Sequence, residues 1–382
     1  RGRSLGLHYM KVLITDAMYK HAVALARYLR QFDRSLVLVG VDSTRPRYLT
    51  RLLRTWYSSI RVGDLTSILD GEDYDLVIPV SARSVRITSQ HPTAKKVLPA
   101  WPAIETCLDK RQTAQLCQKL NVPHPCTHLL SDIGDVESLT VEFPCVVKGA
   151  WEAGKNVVEY VGNRAELLSS VRRSAEDGSQ FSTLPVVQEY VHGVGAGFFA
   201  FYQHGTLKRW YIHRRLRESP PTGGSSTAAE TCYYPEIYEL GKRMLDHLQW
   251  HGVAMVEFKL DERTGKVHLM EVNPKFWGSL ELGLAAGVNF GELLVRTIRG
   301  EEIQAILSPD AYKRLRFFWP FDGDVANIVS QGNYRALLEY FRSDARTNLR
   351  TYGLVRALAR IRHLPRAIFS LRRTRMRGSF AK

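Results

Sequence analysis

The chain has 382 residues, of which 45% are hydrophobic, enough for a buried core of more than one layer, and this excludes a wholly disordered polypeptide. No apolar run reaches the roughly 18 residues a membrane-spanning helix needs, and the first residues lack a signal-like apolar stretch, so a cytoplasmic protein is expected. The formal charge of +15 is uneven: Arg350 to Lys382 holds ten Lys or Arg and no Asp or Glu, which assigns most of the excess to a C-terminal tail and leaves the body mildly basic.

Arg1 to Tyr9 precede the first strand-like segment and read as a leader or processed end outside the fold. Residues 10–105 alternate short apolar runs with helical patterns: a strand at Lys11 to Thr15, a helix at His21 to Arg30, and strands at Ser35 to Val41 and Asp75 to Val80. That rhythm predicts a small parallel sheet with covering helices, a Rossmann-like α/β domain. The first strand runs into Thr15-Asp16-Ala17-Met18 without GxGxxG, so a dinucleotide site is not supported, and the domain is expected to give support and one wall of a substrate cleft. Residues 106–300 switch to strands joined by hairpins and glycine-rich loops, with a helix at Pro235 to Trp250 whose Ile237, Leu240, Met244 and Leu248 share a face. Residues 301–382 form a C-terminal extension, with a strand in Tyr312 to Trp319 and an arginine-rich helical region after Gly332. The fold class expected is mixed α/β and α+β. The five cysteines are odd in number and show no CxxC pairing, against a disulfide framework or a structural zinc site.

The chemistry concentrates in two apolar runs, Gly252 to Lys259 and His268 to Lys275, flanking the polar turn Asp261 to Lys266. This is a hairpin pattern. A turn centred on Thr264 sets Glu257 opposite Glu271, and Asn273 shares the Glu271 face because side chains alternate along a strand. Two carboxylates and an amide on one sheet face repel unless a cation sits between them, and Mg2+ suits such a set because it takes one or two carboxylates together with substrate phosphates. A solvated strand pair with exposed acids is the alternative. Upstream, the strand Phe143 to Lys148 ends in a lysine before Gly149 to Lys155, a combination that can hold phosphate charge and close over it, although a lysine ending a strand is more often solvated. Pro185 to Gly193 is a strand ending in a turn whose backbone can read an adenine edge.

Taken together in this order, MVEFK, LMEVNPK and the preceding lysine strand resemble the ATP-grasp superfamily over about residues 105–295, with residues 10–105 similar to its pre-ATP-grasp domain and residues 111–187 to its lid. The resemblance implies ATP and Mg2+ as cofactors: Lys110 and Lys148 on the phosphates, Gln188, Glu189 and Val191 at the adenine, and Glu257, Glu271 and Asn273 on magnesium. His213 to Thr227 resembles the substrate-side loop of bacterial carboxylate-amine ligases. There the forks of Arg215 and Arg217 suit a carboxylate, and Lys148 and Lys275 complete the catalytic set. The implied activity is attack of a carboxylate on the γ-phosphate, followed by amine displacement of phosphate from the acyl phosphate. His213 is a candidate base, though a lone histidine is more often structural.

Two departures stand out. Val194 occupies the place where many relatives carry a ribose-binding acid, and Lys275 the place where they often carry arginine. They motivate a second reading, a nucleotide-binding or membrane-associated scaffold with weakened turnover. In the tail, Leu354, Leu358, Ile361, Leu364, Ile368 and Leu371 recur three or four residues apart among arginines, with a break near Pro365. Such a basic amphipathic helix suits an anionic membrane at the inner face, the body of the protein or a partner equally well. Nucleic acid lacks a recognition motif. Small-molecule acid and amine substrates and a homodimer complete the expectations.

Overall fold

The computed structural model describes residues 9–43, 54–152, 158–176, 184–220, 224–349 and 364–377. Ala153-Gly154-Lys155 of the glycine loop, Pro221 to Gly223, the leader up to His8, and Leu354, Leu358 and Ile361 of the tail lie outside the described residues.

Strands β1 (Lys11–Ile14), β2 (Val37–Asp42), β3 (Ser59–Val62) and β4 (Leu76–Ile78) form a parallel sheet in the order β3-β2-β1-β4. The apolar runs of β1, β2 and β4 do not alternate with polar residues because both faces are covered, whereas the edge strand β3 alternates as Ser-Ile-Arg-Val and leaves Val62 exposed. Val12 and Ile14 enter the main core, whereas Leu13, Val39 and Val77 pack on the other side with Leu65 and Leu69. The helix Lys20–Phe32 buries Ala22, Val23, Leu25, Ala26 and Leu29.

Strands β5 (Thr127–Leu129), β6 (Cys145–Lys148), β7 (Val158–Val161) and β8 (Val186–Glu189) form an antiparallel sheet in the order β5-β8-β6-β7. It has a core of its own, in which Val136, Cys145, Val147, Val161, Leu167, Val171 and Val187 meet under the helix Arg164–Glu176.

The third sheet holds β9 (Val194–Gln203), β10 (Thr206–Ser219), β11 (Ser225–Cys232), β12 (Gly252–Leu260), β13 (Val267–Asn273), β14 (Arg316–Phe318) and β15 (Ala345–Thr347). Its order is β13-β12-β9-β10-β11-β14-β15. One face is filled with aromatic rings; Phe199 stacks on Tyr211 at 4.6 Å and meets Trp277 at 4.5 Å.

Three details differ from the sequence expectation. The helix from Pro235 ends at His247, because Gln249 takes φ 48° and Trp250, fully buried, donates its indole N–H to the Val253 carbonyl at 3.1 Å and turns the chain into β12. The stretch His213 to Thr227, expected as a loop, is mostly a strand pair: β10 runs to Ser219 and β11 starts at Ser225. The division at residue 300 falls within one sheet, since β14 pairs with β11 through Ala228 and Phe318. Beyond it the helix Leu364–Arg377, with Pro365 in its first turn where a missing N–H costs nothing, packs on the helix Asp324–Gln331.

Candidate nucleotide and substrate site

The hairpin β12–β13 pairs Glu257 with Glu271, and a register shift follows at once, so that Phe258 pairs with Leu269 and Met270 is the extra residue of a bulge. Asn273 is buried on the Glu271 side and donates from Nδ2 to Glu271 Oε1 at 2.8 Å. On β9, the strand that flanks β12, Gly197 lies opposite Glu257 and Gly195 opposite Lys259. The missing side chains matter. Arg215 on β10 reaches across β9 to β12, and a Cβ at Gly195 would stand 2.6 Å from Arg215 Cδ. Arg215 Nη2 lies 2.7 Å from Glu257 Oε2, while its Nη1 donates to Glu218 Oε2 at 2.9 Å and to the Gly224 carbonyl at 3.0 Å.

Charge of both signs is therefore packed with little water. Burial raises the Glu257 carboxyl; Arg215 opposes this, Glu271 and Glu218 add to it, and the net direction is up. At Glu271 burial also pushes upward, but Lys110, Lys275, the Asn273 amide and Lys148 together bring the carboxyl below its ordinary range. Lys148 is lowered to about 8, first by burial and then by Lys110 and Lys259, against the pull of Glu271 and Glu257.

Local structure places the lysines. Lys148 ends β6, and the chain beyond it is stitched to the helix Lys110–Lys119: the Lys110 N–H donates to the Ala150 carbonyl at 2.9 Å, the Glu152 N–H to the Leu108 carbonyl at 3.0 Å, and Asp109 bridges Trp151. Lys275 pairs with the Glu152 carboxylate and donates to Asn273 Oδ1 at 2.5 Å. Gln188 is buried and donates to Thr127 Oγ1 at 2.9 Å, whereas its Oε1 has no hydrogen-bond partner among the described residues. Glu189 is exposed and pairs through its backbone N–H with the Cys126 carbonyl at 2.9 Å; Val191 is buried. Lys110, Cys117, Pro125, Gln188, Met270 and Glu271 line one cleft, which joins the end of β8 to the acidic hairpin.

Arg217 stands apart. It forms a two-pronged pair with the fully buried Asp324 at 2.8 and 2.9 Å, bonds Glu339 at 2.9 Å, and lies over the Phe318 ring. His213 is buried edge-on to Phe199 at 4.4 Å, and burial, with Arg215 nearby, holds its imidazole neutral. Glu152, Glu218 and Lys259 join the charged group without having been singled out in the sequence. Only Lys259 had a local signal, its two-residue step from Glu257.

Two facing half-buried carboxylates beside an amide oxygen are hard donors that could hold a cation such as Mg2+; here the Arg215 guanidinium balances one carboxylate and Lys275 donates to the amide oxygen. The family described as ATP-grasp in the biosynthetic pathway with Ter operon matches residues 186–317. That segment resembles an ATP-grasp family. D-aspartate ligase of Enterococcus faecium is 22% identical to it over 192 residues, 45% of the chain and 45% of that ligase, so the match covers under half of the relative's length. L-amino acid ligase from Bacillus licheniformis has a similar fold, with TM-score 0.62 and 17% identity over 76% of the chain and 75% of that structure. The biotin carboxylase domain of Hydrogenobacter thermophilus 2-oxoglutarate carboxylase, solved with MgADP and bicarbonate, gives TM-score 0.65 and 14% identity over 80% and 72%. No helix among the described residues is long and apolar enough to cross a membrane.

Proposed function

We propose that this protein is an ADP-forming ligase that activates a small-molecule carboxylate as an acyl phosphate and couples it to an amine. The observation that carries the reading is the Glu257–Glu271 register with Asn273 beside it, inside a ring of Lys110, Lys148 and Lys275. Glu257, Glu271 and Asn273 would hold Mg2+, which would offset the charge of the phosphates. Lys110 and Lys148, tied together by the Asp109–Trp151 bridge, hold the phosphates in line for transfer. Gln188, Glu189 and Val191 offer backbone groups to the adenine. Lys275 stabilises the charge that develops as the substrate carboxylate oxygen bonds to the γ-phosphorus and ADP leaves.

Arg215 is the anion receptor of this arrangement. The guanidinium edge that now meets Glu257 would turn to the carboxylate substrate, while Glu218 and the Gly224 carbonyl keep the other in place. The amine then attacks the acyl carbon, phosphate departs and a proton is released. Arg217 serves the reading indirectly, by anchoring β10 to the segment Asp324 to Glu339.

The test is ADP release over a panel of carboxylates with hydroxylamine as the amine, since hydroxylamine traps an acyl phosphate as a coloured ferric hydroxamate. Expected are acid-dependent ADP and an equal yield of hydroxamate, both lost in Glu271→Gln. If Mg-ATP binds yet no pair of substrates stimulates release, the chain is a nucleotide-binding scaffold instead.

A further inference from the structure

The ribose of the nucleotide lacks a partner in the set assigned so far, because Val194 is apolar and the nearby carboxylates are occupied: Glu257 and Glu218 by Arg215, and Glu218 also by the Gly224 N–H at 3.3 Å. Lys259 lies on the same face of β12 as Glu257, two residues on and about 7 Å along the strand. Its Nζ donates to the Gly193 carbonyl at 3.0 Å, in the turn that follows Val191. Opposite it on β9 is Gly195, over which the Arg215 side chain passes on its way to Glu257. The Lys259 side chain is half-buried, and its charge is among those that lower the Lys148 ammonium. An ammonium has three donors, and among the described residues Lys259 uses one.

We propose that Lys259 is the ribose-binding residue of this site, its ammonium donating to the 2′- and 3′-hydroxyl oxygens while Gly193 holds the stem in place. The inference rests on the nucleotide reading above. It replaces an acceptor on the protein with a donor, so the ribose is recognised through its oxygen lone pairs rather than its hydroxyl protons. Lys259 spans the interval between the adenine end at Val191 and the metal end at Glu257, where a nucleoside places its sugar. It acts on binding and takes no part in bond making.

The experiment is calorimetric titration of the full chain with Mg-ATP and with Mg-2′,3′-dideoxy-ATP, in the wild type, Lys259→Met and Lys259→Arg, with the thermal unfolding of each variant as a check on folding. Wild type is expected to prefer ATP by about ten-fold, the scale of one hydrogen bond to a charged group. Lys259→Met should lose that preference and bind ATP about ten-fold more weakly, and Lys259→Arg should recover part of it. Adenosine against its dideoxy form should show the same pattern. Wild type that binds both nucleotides equally, or Lys259→Met that still discriminates, overturns the assignment. A Lys259→Met penalty that vanishes with adenosine places the contact on the α-phosphate and overturns it too. Wild type that takes up no Mg-nucleotide refutes the nucleotide reading itself, and the two failures are thereby distinct.

Discussion

Lys148→Met should make the nucleotide-free protein more stable and its nucleotide complex weaker, and both effects follow from one burial. Moving the ammonium from the ordinary lysine range down to about 8 corresponds to about 3 kcal/mol against the charged form. Methionine keeps the length of the side chain and removes the charge. The substitution also takes away one of the four groups that hold Glu271 low, leaving Lys110, Lys275 and Asn273, so the expected net gain at pH 7 is about 1–2 kcal/mol. The sign with pH can be worked out. The folded lysine titrates below its unfolded value, so between about 8 and about 10.4 the unfolded chain binds the extra proton. The wild type therefore gains stability relative to the variant as pH rises through that window, and below it the penalty is fully present. Urea unfolding at pH 7 and pH 10, with and without Mg-ATP, reads all of this. Nucleotide should protect the wild type more than the variant, with affinity down about 10- to 100-fold from one lost charged contact. A variant less stable than wild type at pH 7, or a difference that does not change with pH, refutes the reasoning.

Glu271→Gln should abolish the magnesium dependence of nucleotide binding, measured by titrating ATP with and without Mg2+. It should also remove the fraction of stability that the wild type loses as pH falls through the carboxylate range, because the folded carboxyl is held below its unfolded value. Arg217→Met leaves the fully buried Asp324 without its two-pronged partner and should cost about 3–5 kcal/mol in a denaturant melt. Whatever folded protein remains should keep its KM for ATP, and a selective loss of ADP release at unchanged stability would contradict the anchoring role. Gly195→Ala puts a methyl where Arg215 Cδ now passes, at 2.6 Å. Displacing the guanidinium from Glu257 should raise KM for the carboxylate substrate while the thermal midpoint falls by only a few degrees, and an unchanged KM would count against Arg215 as the anion receptor.

How much of this was legible follows the distance over which each feature is decided. The Glu257–Glu271 pairing lies within one hairpin, and the apolar alternation on either side of Thr264 was enough to set it. Even there, Met270 is an extra residue, so the pairs near the turn and the pair at the acids belong to different registers. Three strands of the parallel sheet, β1, β2 and β4, were equally local apolar runs, whereas the edge strand β3, Ser-Ile-Arg-Val, is half polar and left no such signal. The convergence of Lys110 with Lys148 was not, since it depends on a bridge between Asp109 and Trp151. Spacing carries no trace of such a contact, and only the resemblance to ATP-grasp proteins suggested it.

Arg215 and Arg217 show the same limit most clearly. Two residues apart in a strand, they should share a face and a role. A bulge at Leu216 breaks that equivalence: Arg215 pairs with Ala229 and Arg217 with Ala228, and the two guanidinium groups aim at different partners. Arg215 can reach Glu257 only because β9 lies between β10 and β12 and is glycine at position 195. Arg217 is taken up by Asp324 and Glu339, more than a hundred residues downstream. Which of two neighbouring arginines meets a substrate anion is thus decided by strand order and by one inserted residue. Neither alters the composition or the periodicity from which a sequence is read.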